Sequence, residues 1–366
     1  MNDATDVFSD NYVQARDRFR IAVARAGGRL DRHNHPAACG PDGEVLSIDV
    51  GVFGPDEAPR ALLIVSGTHG GEGYAGSAAQ LALLAAGDLE TLPADVRVVL
   101  VHGLNPYGFA HGSRTTEDHV DLNRNFVDFR QPLPANPAYA ELHDALCPDH
   151  WTPASRANAA AALDAWVAVH GHQRWMEGVM RGQWSHPTGL TFGGVARTWP
   201  NRTLEAIVTG RLAAARQLAF IDWHTGLGEY GRPFFLCFNE RGGPAWERCC
   251  DWWGHDAVAG AQGYDGAKRP EYAGLVFQGV QRFAPQAEMA GAVIEFGTGP
   301  IAQGLDRLRA DRWLRFGHGD RDAATLAALR REVLAGFYPP DPDWRRDVVP
   351  QALAIERQAL AGLAAW

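Results

Sequence analysis

Ala61-Leu62-Leu63-Ile64-Val65 is an unbroken apolar run. Such a run suits a strand covered on both faces, because neither set of alternate side chains then meets water. It leads directly into Ser66-Gly67-Thr68-His69-Gly70-Gly71-Glu72-Gly73. A histidine and a glutamate three residues apart therefore stand at the carboxyl end of a central strand, where α/β sheets gather their ligands. Imidazole nitrogen and carboxylate oxygen are donors for a divalent metal, and a spacing of three lets both reach one ion across a single turn. The flanking glycines permit the backbone angles of that turn. On its own His-x-x-Glu is common by chance; the glycine-framed strand end gives it weight.

Ile221-Asp222-Trp223-His224-Thr225-Gly226 supplies a third candidate ligand, His224. Asp222, two residues earlier, shares its strand face and is placed to orient a ligand or a neighbouring arginine. Alone, His224 reads as an ordinary core histidine. Ala292-Val293-Ile294-Glu295-Phe296-Gly297 carries a lone carboxylate at another strand end. Desolvation there raises a glutamate's pKa and makes Glu295 a candidate general base, an ion-paired glutamate being the plainer alternative. Between these segments lie Arg114 and the block Asp121-Leu122-Asn123-Arg124-Asn125-Phe126. An arginine beside an asparagine suits capture of a carboxylate, and a second arginine near a metal suits an oxyanion.

The remaining pattern alternates strands and helices. Apolar spacing predicts a helix over 11–26, strands over 46–54, 61–67 and 96–103, and a helix over 74–86. A polar loop is expected over 105–130, helix over 148–178 and 202–219, strands over 220–223, 234–238 and 292–296, and helix over 245–260. The implied fold class is α/β, a mixed, mostly parallel central sheet with helices on both faces. One domain over 1–366 is expected, with a helical insertion at about 148–200 and a helical tail at about 303–366. Several of the twelve tryptophans fall between Trp151 and Trp199; they read as packing, or as an aromatic wall lining an apolar pocket.

Composition narrows the function classes. The formal net charge is −9 without a basic block, which argues against a nucleic-acid surface. No run approaches the ~18 apolar residues of a membrane span, and the first seventeen residues lack the apolar core of a signal peptide. The five cysteines include no Cys-x-x-Cys pair, so reduced thiols in a cytoplasmic protein are expected. His33 and His35 sit two apart in a proline-containing segment, at most a weak surface metal site.

In order, these pieces resemble the zinc carboxypeptidase superfamily: the carboxypeptidase A type with its succinylglutamate desuccinylase and aspartoacylase relatives. The wording NPYGFAHGSRTTEDHVDLNRNF, IDWHTGLG and AVIEFGTG is similar to a bacterial branch of it, over roughly residues 40 to 300. The resemblance implies one zinc ion held by His69, Glu72 and His224, with Glu295 as the catalytic glutamate. It implies Arg114 as the arginine that polarises the scissile carbonyl, and Asn123 and Arg124 as the pair that binds a substrate carboxylate. Carboxypeptidases also use a tyrosine shortly before the glutamate; Tyr272 is the candidate here and Tyr264 a weaker one. The implied activity is hydrolysis of an amide next to a free carboxylate, on a small peptide or an N-acyl amino acid. A catalytically silent metal-binding or regulatory protein is the reading from another class. Side-chain preference and oligomeric state are not written in these motifs.

Overall fold

The apolar runs pair with one another. The structure is a computed structural model and describes residues 4–260, 263–264, 267–319 and 322–366. Its strands are β1 (Arg29–Cys39), β2 (Val45–Phe53), β3 (Arg60–Ser66), β4 (Val96–His102), β5 (Gln217–Tyr230) and β6 (Pro233–Cys237), then β7 (Gly263–Tyr264) and β8 (Ala267–Lys268), a separate short hairpin, and β9 (Glu288–Gly297). One seven-stranded sheet runs in the order β1-β2-β4-β3-β5-β9-β6. It is mixed. The four central strands β4, β3, β5 and β9 are parallel, and antiparallel β1, β2 and β6 extend the two sides.

The helices are α1 (Tyr12–Arg25), α2 (Gly73–Ala86), α3 (Pro106–His111), α4 (Pro137–Leu146), α5 (Pro153–His170), α6 (His172–Met180), α7 (Trp199–Arg211), α8 (Pro244–Trp253), α9 (His255–Gly260), α10 (Val276–Phe283), α11 (Ile301–Phe316), α12 (Ala323–Phe337) and α13 (Pro342–Ala365). Alternation along β3 separates two cores: Leu62 and Ile64 join residues of α1, α2, α8 and α13 on one face, while Leu63 and Val65 join α7 and α10 on the other. Helices therefore cover both faces, as a parallel centre requires. Helix α2 lies between β3, α1 and α13 and is buried from Gly73 to Leu84, which explains its richness in alanine and glycine.

Some boundaries depart from the sequence reading. The helix expected over 202–219 ends at Arg211, and Gln217–Ala219 begin β5. Leucine and alanine there serve either state; the backbone amides of Arg216 and Gln217 both donate to the Pro59 carbonyl, at 2.7 and 3.1 Å, and fix the strand register. The 105–130 loop contains α3, whose Asn105 side chain caps the Gly108 amide, and a 3-10 turn at Leu122–Arg124. Strand β1 escapes a hydrophobic-pattern reading because it alternates only between exposed and half-buried positions. Helices α5 and α6 lie within 148–200, and α11, α12 and α13 account for most of 303–366.

Candidate metal centre

The turn after β3 places the first two site residues. Gly67 has φ +73°, a left-handed conformation that favours glycine. A Cβ on Gly70 would lie 1.9 Å from the Gly108 carbonyl carbon, so the turn rests against α3 at a distance only glycine allows. His69 and Glu72 emerge from it on one side, with the His69 Nδ1 3.1 Å from Glu72 Oε1. Glu72 starts α2.

Strand pairing supplies the others. Within the parallel β5–β9 pair, His224 and Glu295 are Cα partners. His224 Nδ1 reaches 3.0 Å from Glu72 Oε2 and 3.2 Å from His69 Nδ1. One donor atom from each of His69, Glu72 and His224 therefore lies within 4.8 Å of the other two, and all three residues are buried. Among the described residues this is the one such His/Glu/Asp/Cys group. His33 and His35 form no such group, and His35 Nε2 instead meets Glu117 at 2.9 Å.

The outer nitrogens of both imidazoles face carboxylates. His69 Nε2 lies 3.1 Å from Asp121 Oδ1. His224 Nε2 lies 2.9 Å from Asp222 Oδ2, at ion-pair distance but out of line for a hydrogen bond. Thr68 Oγ1 donates to the other Asp222 oxygen at 2.8 Å. Carboxylates behind ligating histidines fix the ring and raise its basicity. Glu72, Asp121, Asp222 and Glu295 gather around the two imidazoles, and Asp222 and Glu72 together raise the His224 imidazole well above its ordinary range despite its burial. A divalent cation between the two Nδ1 atoms fits this carboxylate-rich donor set.

Electrostatics separate the two glutamates. Burial opposes ionisation of Glu72, but His69 and His224 outweigh it and hold the carboxyl well below its usual range. Burial pushes Glu295 up to about 7, with the Glu72 charge adding to the effect. The Leu227 backbone amide donates to Glu295 Oε2 at 3.1 Å and partly offsets the rise. A carboxylate near neutrality can take up and release a proton, which one held far below that range cannot.

Arg114 donates from Nε to Asp121 Oδ2 at 3.0 Å and from Nη1 to Glu72 Oε1 at 3.3 Å, which ties it to both sides of the cradle. Arg124 donates to the Asn123 and Met180 carbonyls, each at 2.7 Å, and its guanidinium lies 5.0 Å over the Tyr272 ring. Asn123 Oδ1 accepts from the Val276 amide at 2.9 Å. His69, Glu72, Arg114, Asn123, Arg124, His224, Tyr272 and Glu295 all line one cavity. The side chain of Tyr264 lies outside the described residues. The segment before β9 contributes Tyr272 and Leu275 to the cavity, but α6, α11 and β6 contribute as well.

Sequence reading assigned no role to Asp121 or Asp311. Asp121 stands two residues before Asn123 and caps the 3-10 turn that carries Asn123 and Arg124, so its place in that block was the available signal. Asp311 lies in the middle of α11, and its Oδ2 accepts from Ser113 Oγ at 3.0 Å and from the Arg114 amide at 2.9 Å. Nothing local in the chain points to that contact.

Solved structures share this architecture. Bovine thrombin-activatable fibrinolysis inhibitor, solved in complex with tick carboxypeptidase inhibitor, aligns over 98% of this chain and 98% of its own at TM-score 0.51 and 10% identity. Carboxypeptidase A from Helicoverpa armigera aligns over 90% of this chain and 74% of its own at TM-score 0.45 and 11% identity. A succinylglutamate desuccinylase from Silicibacter sp. TM1040 aligns over 81% and 69% at TM-score 0.39 and 14% identity. The fold is a carboxypeptidase-like α/β fold. Residues 8–351 match the family model described as "Protein of unknown function (DUF2817)", and the chain belongs to that family. No curated protein matches it in sequence.

Proposed function

We propose that this protein is a zinc-dependent hydrolase that cuts an amide bond next to a free carboxylate, acting as a carboxypeptidase-like enzyme on small peptides. One observation carries the reading: two imidazole Nδ1 atoms and Glu72 converge within 4.8 Å, and Glu295 is the register partner of one of those imidazoles. His69, Glu72 and His224 would hold the ion, with Asp121 and Asp222 orienting the two rings. When bound, a divalent cation supplies Lewis-acid polarisation of an amide carbonyl and of water.

The side chains then divide the work. Glu295 takes one proton from the water that attacks the carbonyl carbon. A C–O bond forms, the C–N bond breaks, and Glu295 delivers that proton to the leaving nitrogen. Arg114 faces the developing oxyanion. Asn123 and Arg124 hold the substrate carboxylate and so select the bond that is cut. Tyr272 packs over the same guanidinium.

A second reading, an N-acyl-amino-acid amidohydrolase, uses the same groups and is favoured by the two helices that close over the cavity, α6 and α11. Insertion and tail thus belong to the one domain we propose for the whole chain. The five cysteines are all free, which supports a reducing compartment such as the cytoplasm. No described helix is long and apolar enough to cross a membrane.

The test is a panel of short peptides with free or amidated C-termini beside N-acyl amino acids, run on zinc-loaded and chelator-treated protein. Hydrolysis that needs both the free carboxylate and the metal is expected. Stoichiometric zinc with no hydrolysis across the panel would leave the silent metal-binding protein instead.

A further inference from the structure

Two helices remote in sequence form a roof over the cavity. On the Arg114 side, Ile301, Leu305 and Leu308 of α11 face inward at four- and three-residue spacing, one stripe of the helix. Asp311, three residues further on, grips Ser113 and the Arg114 amide. On the Arg124 side, Trp175 and Val179 of α6 line the cavity, and Met180 accepts from Arg124. The two helices meet: Leu305 and Leu308 pack into the same apolar cluster as Val179 and Trp175.

This roof is pinned. Arg309 donates to the Ala145 and Leu146 carbonyls, Arg312 to those of Thr188 and Cys147, and Trp313 Nε1 to that of Asp149. Helix α11 is thereby fastened to the end of α4.

The floor is apolar too. Val293 is two residues before Glu295 on β9 and so shares its face; Leu236 is its register partner on β6, and Phe238 follows two residues on. Among the described lining residues the only cationic side chains besides the two imidazoles are Arg114 and Arg124. Arg114 is already paired with Glu72 and Asp121. A second carboxylate on a substrate would therefore be desolvated without a partner.

We infer that the site takes a small N-acyl amino acid or dipeptide with apolar groups on both sides of the scissile amide, and refuses acidic groups and long chains. The inference rests on the hydrolase reading above and narrows it. The floor receives the side chain of the residue whose carboxylate Arg124 holds. The α11 stripe receives the acyl group, and a polypeptide extending from that group runs into the pinned roof.

The experiment uses the zinc-loaded full chain and compares N-acetyl-L-phenylalanine and L-leucyl-L-phenylalanine with N-succinyl-L-phenylalanine, N-acetyl-L-aspartate and a ten-residue peptide ending in phenylalanine. The apolar small substrates should exceed each of the others in kcat/KM by roughly 100-fold or more. Leu305→Arg, at a half-buried position, should raise N-succinyl-L-phenylalanine relative to the acetyl compound at least about tenfold. Equal or better cleavage of the acidic or ten-residue substrates by the native protein overturns the inference and leaves the hydrolase reading standing. If nothing in the panel is cut, the hydrolase reading fails, and calorimetry decides the pocket. Tighter binding of N-acetyl-L-phenylalanine than of N-acetyl-L-aspartate supports its apolar class, and equal or reversed affinities overturn it.

Discussion

His224 and Glu295 are register partners on neighbouring parallel strands, one strand spacing apart. A candidate metal ligand and a candidate proton acceptor are thereby held by backbone hydrogen bonds, about 4.8 Å from strand to strand, and not by a loop. Placement on rigid strands suits chemistry that needs reacting atoms fixed to within about half an ångström.

Replacing Glu295 by Gln keeps the volume and an acceptor for the Leu227 amide but removes the base. Turnover should fall by about 10²–10⁴-fold, with zinc content unchanged by elemental analysis. Near-native turnover in this variant would remove Glu295 from the mechanism.

Asp121→Asn should weaken zinc binding by about 10–100-fold, because Asp121 meets both His69 Nε2 and Arg114 Nε. Competition with a chelator of known affinity measures this. An unchanged zinc affinity would make Asp121 a scaffold for Arg114 alone.

Asp311→Ala should lower kcat by roughly 10–100-fold with little change in zinc content, since the Arg114 amide loses its anchor on α11. Asp311→Asn retains an acceptor and should recover most of the loss. Equal defects in both variants would argue for a general packing role.

Acid should destabilise the fold through His102. Burial holds its imidazole down at about 3, with Arg20 and Arg16 adding to the effect, against an ordinary 6.5. Between these values the unfolded chain takes a proton that the native state refuses. The stabilisation is complete above 6.5 and falls as pH drops toward 3, by up to about 1.4 kcal/mol per unit. Denaturant titrations of His102→Gln, which can still reach Ser77 Oγ, should show a shallower slope over that window.

Glu356 behaves in the opposite sense. It is fully buried, accepts from Trp223 Nε1 at 3.0 Å, and burial raises its carboxyl well above the ordinary 4.5. The native state keeps a proton that the unfolded chain releases, so this contribution is full below 4.5 and is lost as pH rises through the native value. Glu356→Gln keeps the acceptor for Trp223 and should match or exceed the native melting temperature at pH 8, with no advantage at pH 4. A lower melting temperature at pH 8 would mean that the ionised form is the one the fold uses.

The meeting of His69, Glu72 and His224 was legible because each follows or ends an apolar strand, and strand ends in a parallel sheet converge by topology. That Asn123, Arg124 and Arg114 share the cavity of that cluster was legible from the order of the motifs. The residues behind them were less so. Asp121 lay in a quoted block without a role, and Asp311 joins Arg114 across 197 positions of chain, a distance over which no local pattern operates. The missed end of the 202–219 helix has a different cause: Leu, Ala and Phe suit a buried strand as well as a helix, and pairing with β3 decides between them. Strand β1 offered no buried apolar face to read, because it lies at the edge of the sheet with much of its surface in water.

Trp223, next to His224, has its indole nitrogen bonded to Glu356 on α13, and α13 also packs on α2 and β3. Synthesis runs from the amino end, so the cradle lacks this support until α13 has left the ribosome. A nascent chain that already carries His69, Glu72, His224 and Glu295 still lacks the Glu356 carboxyl that holds the Trp223 indole, so the cluster gains its backing only when the last helix arrives.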